Sequence, residues 1–514
     1  MKFNRVTLSL SIILFLNLTI FVNAGGTKCS NPNATPEAKA LLEFLNSISG
    51  KYILSGQHNY PDTKDRNTEF ASEYIGKTPA VFSTDFGFAK AGDKDSYLAR
   101  NDIVKEAINQ HKAGAIVTIM WHAVPPTANE PVVFQQVPGK VSPDSLASVQ
   151  GHLLDQQFND LLTPGTEIYK HWCAQVDTIA SFLKKLQNAH VPVLWRPYHE
   201  MNGNWFWWGG RRGTKGTAAL YRQLYDRFVN YHKLNNLIWV WSVDRPEIPE
   251  REFSYYYPGN KYLDILSLDV YGSDFNQAYY DSLVNLSKGK VIALAEIGNP
   301  PVNAILKSQP LWSYYVTWAG MVRNTLEKQY NKLVDDSRIL WLDDSVYRKI
   351  VTPYRLTCGL SPLTVSLKPD FSGTWSFDEN MSLLDNMGTG NLPSRLYINQ
   401  NGDSLTIKKT YVEEYTDDRI IIDHLILNGT ATTSQMFNSP VTIKADWNSE
   451  SDTLFIVSNA TFKFGDRTFE MNSDEQWTLQ DNGRILSIEQ ASDSFRGKRK
   501  ITMIFNKVIS GWSK

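Results

Sequence analysis

The sequence predicts two folds in series: an α/β domain built as a (β/α)8 TIM barrel, followed by a separate all-β barrel or sandwich. Three observations carry this. Between Lys51 and Trp318, short apolar runs of strand length alternate with amphipathic stretches of helical length, the pattern of repeated βα units. Beyond Leu360 the helical period stops, and short alternating runs recur between turn signals such as Asn401-Gly402, Asn428-Gly429 and Asn482-Gly483. The length, 514 residues, exceeds one ordinary domain.

Taken in order, residues 1–24 read as a signal peptide. Lys2 and Arg5 precede an apolar run over 8–22, and Val22-Asn23-Ala24 offers small residues for cleavage. Export as a secreted protein is expected, and the run is short for a membrane span. Residues 25–360 form the barrel domain, 361–369 a linker marked by Ser361-Pro362 and Lys368-Pro369, and 370–514 the all-β module. Three cysteines, Cys29, Cys173 and Cys358, permit at most one internal bridge. A Cys29–Cys358 staple is open on this count, with Cys173 a buried free thiol.

Candidate barrel strands are 52–55, 80–83, 115–121, 191–195, 237–241, 263–268 and 291–295, with helical patterns over 101–112, 168–190 and 217–234. The eighth strand fits either 312–318 or 338–342. The long segment 123–166 follows the third strand, where loops shape a barrel's cleft. In the module, alternating runs at 397–398, 404–407, 419–427, 441–445, 453–458, 461–464, 476–479, 484–489 and 500–505 predict eight or nine strands.

Chemistry concentrates in residues 193–209, VLWRPYHEMNGNWFWWG. An apolar run breaks into Arg196, His199 and Glu200 and then into four aromatic residues, with Gly203 and Gly209 supplying turns. A strand that delivers ionisable groups at its C-terminal end is how such barrels present a site. Aromatic faces beside a carboxylate suit sugar rings, whose glycosidic oxygen needs a proton donor. Glycosidic cleavage requires a second carboxylate from another strand end. Residues 291–299, VIALAEIGN, place Glu296 at the end of an apolar run before a Gly turn. By strand count Glu200 ends the fourth strand and Glu296 the seventh. A zinc site is not supported at His199, because no second His follows four positions on. No phosphate loop or His/Cys ligand cluster is present, so neither cofactor nor metal is expected. A net charge of −1 gives no case for nucleic acid or an anionic membrane, and a monomer is expected.

The stretch WRPYHEMNGNWFWWGG resembles the signature of glycoside hydrolase family 26, the β-mannanase family, and the likeness runs from Gly56-Gln57-His58 to Trp318. The resemblance implies a retaining endo-β-1,4-mannanase with Glu200 as acid/base and Glu296 as nucleophile. It places the tyrosine of Leu268-Asp269-Val270-Tyr271-Gly272 against the nucleophile, with Asp269 in support. It assigns His122, Arg196, His199, Trp205, Tyr271 and Trp318 to the sugar, together with Trp172, and it prefers 312–318 as the eighth strand. The substrate implied is β-mannan or a related plant polysaccharide. The same family embraces β-1,3-1,4-glucanase and β-1,3-xylanase activities, and a non-catalytic carbohydrate-binding barrel is the alternative of another class. Gly373-Thr374-Trp375 and the closing strand of the module resemble lipocalin-like barrels.

Overall fold

The computed structural model describes residues 28–508 except 61–63, 88–95, 137–144, 364–367, 386–387, 390–391, 414–415, 437–438, 465–466 and 495–496. The expected signal peptide and part of the linker lie outside the described residues. Parallel strands β1 (Ile53–Leu54), β2 (Gly56–His58), β3 (Val81–Asp85), β4 (Ile116–Trp121), β5 (Val193–Pro197), β6 (Leu237–Asp244), β7 (Ile265–Val270), β8 (Val291–Ile297) and β9 (Trp312–Thr317) form the first sheet. β1 and β2 are two pieces of one stave, broken at Ser55, so the staves number eight. The sheet closes where Leu54 meets Tyr314 and Gln57 meets Thr317. The open choice for the eighth stave is thereby resolved as β9. The alternative, β10 (Ile339–Leu340), is a two-residue strand alongside β1.

Alternation along each stave sorts its side chains. In β5, Val193 and Trp195 face the surrounding helices, while Leu194 belongs to the inner core. In β6, Trp239, Trp241 and Val243 face out and Ile238 and Val240 face in. The helix Pro36–Ile48, N-capped by Thr35 Oγ1 accepting from Ala38 N at 3.2 Å, packs Leu41, Leu42, Leu45 and Ile48 into that inner core. The N-terminal end of the barrel is thus plugged by apolar side chains, and polar groups gather at the C-terminal end.

β8 departs from strict alternation. Ser267 pairs with Ala293 and Asp269 with Glu296, so two residues of β7 oppose three of β8. Ala293 and Ala295 belong to the inner core while Leu294 and Ile297 face the helices. This extra residue, a bulge, turns Glu296 inward at a position where regular pleating would point it outward.

The module is a ten-stranded antiparallel meander: β11 (Gly373–Phe377), β12 (Arg395–Asn401), β13 (Ser404–Tyr411), β14 (Arg419–Ile426), β15 (Thr432–Met436), β16 (Ser439–Trp447), β17 (Leu454–Phe464), β18 (Arg467–Gln480), β19 (Ile485–Ser494) and β20 (Gly497–Val508). β20 returns to pair with β11, and the sheet curls into a barrel-like form whose seam lies between β14 and β15. The strand count exceeds the expected eight or nine: β11 and β15 are additional, and runs 453–458 and 461–464 are one strand, β17. Phe371, Trp375, Leu396, Leu405, Leu454, Trp477 and Phe505 fill its core.

The module rests on the barrel domain through Arg484. Its Nη2 donates to the carbonyls of Tyr74 (2.8 Å) and Ile75 (3.2 Å), at the C-terminal end of helix Arg66–Ile75, and Nη1 lies 3.9 Å from Glu327. A cation at a helix C-terminus meets the negative end of its dipole. Cys29, Cys173 and Cys358 are all free thiols, so the Cys29–Cys358 staple is not formed; Cys358 is buried and Cys173 only partly so.

Candidate active site

The C-terminal end of the barrel gathers the expected pair of glutamates. Glu296, turned inward by the bulge, has a different partner on each oxygen. Arg196 Nη1 donates to Oε2 at 2.9 Å, and the Tyr271 hydroxyl donates to Oε1 through a very short contact. Arg196 is fully buried; its Nε donates to Ser242 Oγ at 3.1 Å and its Nη2 pairs with Asp269. Burial alone would discharge the guanidinium, but Asp269 and Glu296 hold it charged, above its ordinary value. Glu296 is thus held by one N–H of a charged guanidinium and by a phenol hydroxyl.

Glu200 is held differently. It follows β5 with φ = 51°, and Tyr198 has φ = 48°, two left-handed residues in one turn. That turn is tied down by Met201 N to Ser242 O (3.2 Å) and Gly203 N to Glu200 O (2.8 Å). Asn202 Nδ2 further binds the carbonyls of Asp244 (2.6 Å) and Arg251 (2.9 Å). The donor to its carboxylate is a neutral one, Trp205 Nε1, 2.5 Å from Oε2. Burial, then the charges of Glu296, Asp269 and Asp244, drive the Glu200 pKa well above 4.5, against the pull of Arg196. The protonated form of Glu200 is therefore favoured beside a carboxylate that a guanidinium holds.

Trp205 packs against Gly203, where an added Cβ would lie 2.3 Å from the indole, and Arg251 sits over its ring at 4.9 Å. Gly203 is required by this close approach. The long segment after β4 embraces the same turn: Gly151 N donates to Trp205 O at 2.9 Å and Trp207 N to Val149 O at 3.3 Å.

His122 and His199 meet edge to face with ring centroids 4.4 Å apart. His122 Nδ1 pairs with Asp85 Oδ2, and its backbone N donates to Asp85 Oδ1 at 3.1 Å, fixing the ring. Although burial pushes the Asp85 carboxyl up, the charge of His122 and its hydrogen bond hold it below the usual value. Burial, reinforced by His122 and Arg196, holds His199 neutral. Trp318 stacks on His58, with centroids 4.1 Å apart and planes 7° from parallel. His58 is held down to about 3, chiefly by burial, and so remains uncharged.

The structure therefore brings Glu200, Glu296, His122, Arg196, His199, Trp205, Tyr271 and Trp318 together. Trp172 is the exception. It is 1% exposed on helix Glu167–Asn188, and its Nε1 donates to the Tyr198 hydroxyl at 2.9 Å. It supports the underside of the turn at Tyr198–Glu200 from the core and offers no face to a sugar. Asp85, His58, Ser242 and Arg251 join the site without having been singled out by the sequence. Each stands alone on its own strand or loop, and only Asp85, a charge closing the run VFSTD, carries any local signal.

The sequence profile described as Glycosyl hydrolase family 26 matches residues 30–344. A Thermothelomyces thermophilus protein named mannan endo-1,4-beta-mannosidase is 35% identical over 306 residues, covering 58% of this chain and 58% of that protein. A Piromyces sp protein, mannan endo-1,4-beta-mannosidase A, is 32% identical over 300 residues, 56% of this chain and 45% of the relative. The chain thus spans about half the length of these curated relatives. Among solved structures, GH26A from Muricauda sp. is 44% identical with a TM-score of 0.55, covering 61% of this chain and 98% of that one.

Proposed function

Because this chain belongs to glycosyl hydrolase family 26, we propose that it is an endo-β-1,4-mannanase that cleaves mannan-type polysaccharide with retention of configuration. The observation that carries the reading is the unequal treatment of the two glutamates: Glu296 between Arg196 and Tyr271, Glu200 under a single indole N–H. In the first step the Glu296 carboxylate attacks the anomeric carbon. The glycosidic C–O bond breaks, and the Glu200 proton passes to the leaving oxygen. In the second, water attacks the same carbon, Glu200 takes the water proton, and the bond to Glu296 breaks. The buried Asp85–His122 pair, His199 and the Trp318–His58 stack form the wall available to the sugar being cleaved. Names of relatives, including mannan endo-1,4-beta-mannosidase, support mannan as the substrate class. The apolar run over 8–22 supports export.

Early-time proton NMR of the products tests the mechanism. The new reducing end should appear first as the β-anomer; first appearance of the α-anomer rejects double displacement. Product analysis on mannan, glucomannan, mixed-linkage β-glucan and β-1,3-xylan tests the substrate, with the two mannans expected to be cleaved fastest.

A further inference from the structure

The module encloses a second polar centre, remote in sequence from the glutamates. Ten strands make a barrel wider than side chains fill, since eight are about the limit for a packed interior. At one end Trp375, Trp477 and Phe371 close the core. Toward the other a void of about 80 Å³ remains, walled on one side by Ile407, Ile443, Ile456 and Met471. Its polar side is Lys409, Asp423, Ser473 and Glu475.

The charges there do not cancel. Lys409 Nζ lies 3.0 Å from Asp423 Oδ2, and Ser434 Oγ donates to the other Asp423 oxygen across the β14–β15 seam. Among the described residues the hydrogen bonds to Glu475 come from neutral donors, Gln490 Nε2 at 2.9 Å and Trp477 Nε1 at 2.8 Å, while Lys409 attracts it from farther off. Ser473 Oγ is buried, with no hydrogen-bond partner among the described residues. One cation against two carboxylates leaves the interior with an excess negative charge. A buried ion pair beside a void adds little stability that aliphatic packing would not supply, so its presence here calls for another role. A carboxylate ligand would meet two fixed carboxylates. A cation would be neutralised by Glu475, with Ser473 Oγ accepting a hydrogen bond from one of its N–H groups.

We propose that the module interior binds a small primary ammonium compound with a short aliphatic body, its ammonium against Glu475 and its chain along Ile407, Ile443, Ile456 and Met471. The void is about half the size of a cavity of ~150 Å³ that accepts benzene, which limits the body to a few carbons.

Isothermal titration of the full chain with n-butylamine, n-butanol and butyrate tests this. One n-butylamine should bind per chain, n-butanol at least about tenfold more weakly, and butyrate not at all. Glu475→Gln should weaken n-butylamine at least about tenfold, or ~1.4 kcal/mol, with unchanged activity on soluble manno-oligosaccharides. Ile443→Phe fills the void without altering charge and should abolish binding, which provides a second test if Glu475→Gln folds poorly. Absence of binding heat, or equal binding of butyrate, overturns the proposal. So does affinity that survives both substitutions, because the amine is then held at the catalytic glutamates.

Discussion

Trp205 Nε1 donates to Glu200 Oε2 at 2.5 Å, and the same indole packs on Gly203 and under the Arg251 guanidinium. The residue that fixes Glu200 is thus itself fixed by the backbone of the turn that carries Glu200 and by a loop after β6. Glu296 by contrast is fixed by charge, through Arg196. The two carboxyls are thus held by partners of different charge although both are buried.

The raised Glu200 pKa has a consequence for stability. Its protonated form is favoured by folding, so the stabilising contribution is complete below the ordinary value of 4.5 and is lost as pH rises toward the folded value. Glu200→Gln, neutral at every pH and able to accept from Trp205, should match the wild type at pH 4 and exceed it in Tm at pH 8. Thermal melts across that range check the sign. A Tm difference that does not grow with pH contradicts the shift.

Tyr271→Phe removes one of the two donors to Glu296 and leaves the fold intact. A hydrogen bond to a charged group is worth about 1.5–3 kcal/mol, so kcat should fall about 10- to 100-fold. KM should change little. A fall in affinity with kcat preserved would place Tyr271 as a wall for the sugar instead.

Trp172→Phe separates core from cleft. It deletes the hydrogen bond to Tyr198 and some buried volume, with a stability loss of about 1–3 kcal/mol. The kcat/KM of the folded variant should stay within about twofold of wild type at a temperature below its melt. A selective rise in KM with unchanged Tm would return Trp172 to the sugar-binding set.

Arg484→Ala removes the contacts of the module with Tyr74, Ile75 and Glu327. We expect faster cleavage of the segment around 361–369 by subtilisin and unchanged turnover of soluble manno-oligosaccharides. Loss of that turnover would show that docking of the module shapes the cleft.

The barrel was legible because each stave is an apolar run that the helices must cover, and its period differs from theirs. The stretch 193–209 was legible because strand, turn and aromatics are contiguous there. His58, Asp85 and Ser242 were not, since they converge only when separate staves close the barrel. Trp172 shows the opposite failure: an aromatic on an amphipathic helix reads alike whether it faces a cleft or the core. The start of β18 was missed for a related reason. Residues 467–475 include Ser473 and Glu475, which line the module's void, so the apolar alternation that marks a strand is absent where its inner face is polar.

The extra residue in β8 makes the face that carries Glu296 a matter of counting. Substituting Ala295 alters packing, whereas deleting it restores regular pleating with Ala293 inward, Leu294 outward, Glu296 inward and Ile297 outward, so that Ser267–Ala293 and Asp269–Glu296 pair two positions apart on both strands. The carboxylate would then stay on the inner face with Arg196 and Asp269. Exchanging Glu296 with Ile297, which preserves both composition and length, would instead turn the carboxylate toward the helices and leave the Arg196–Asp269 pair in place.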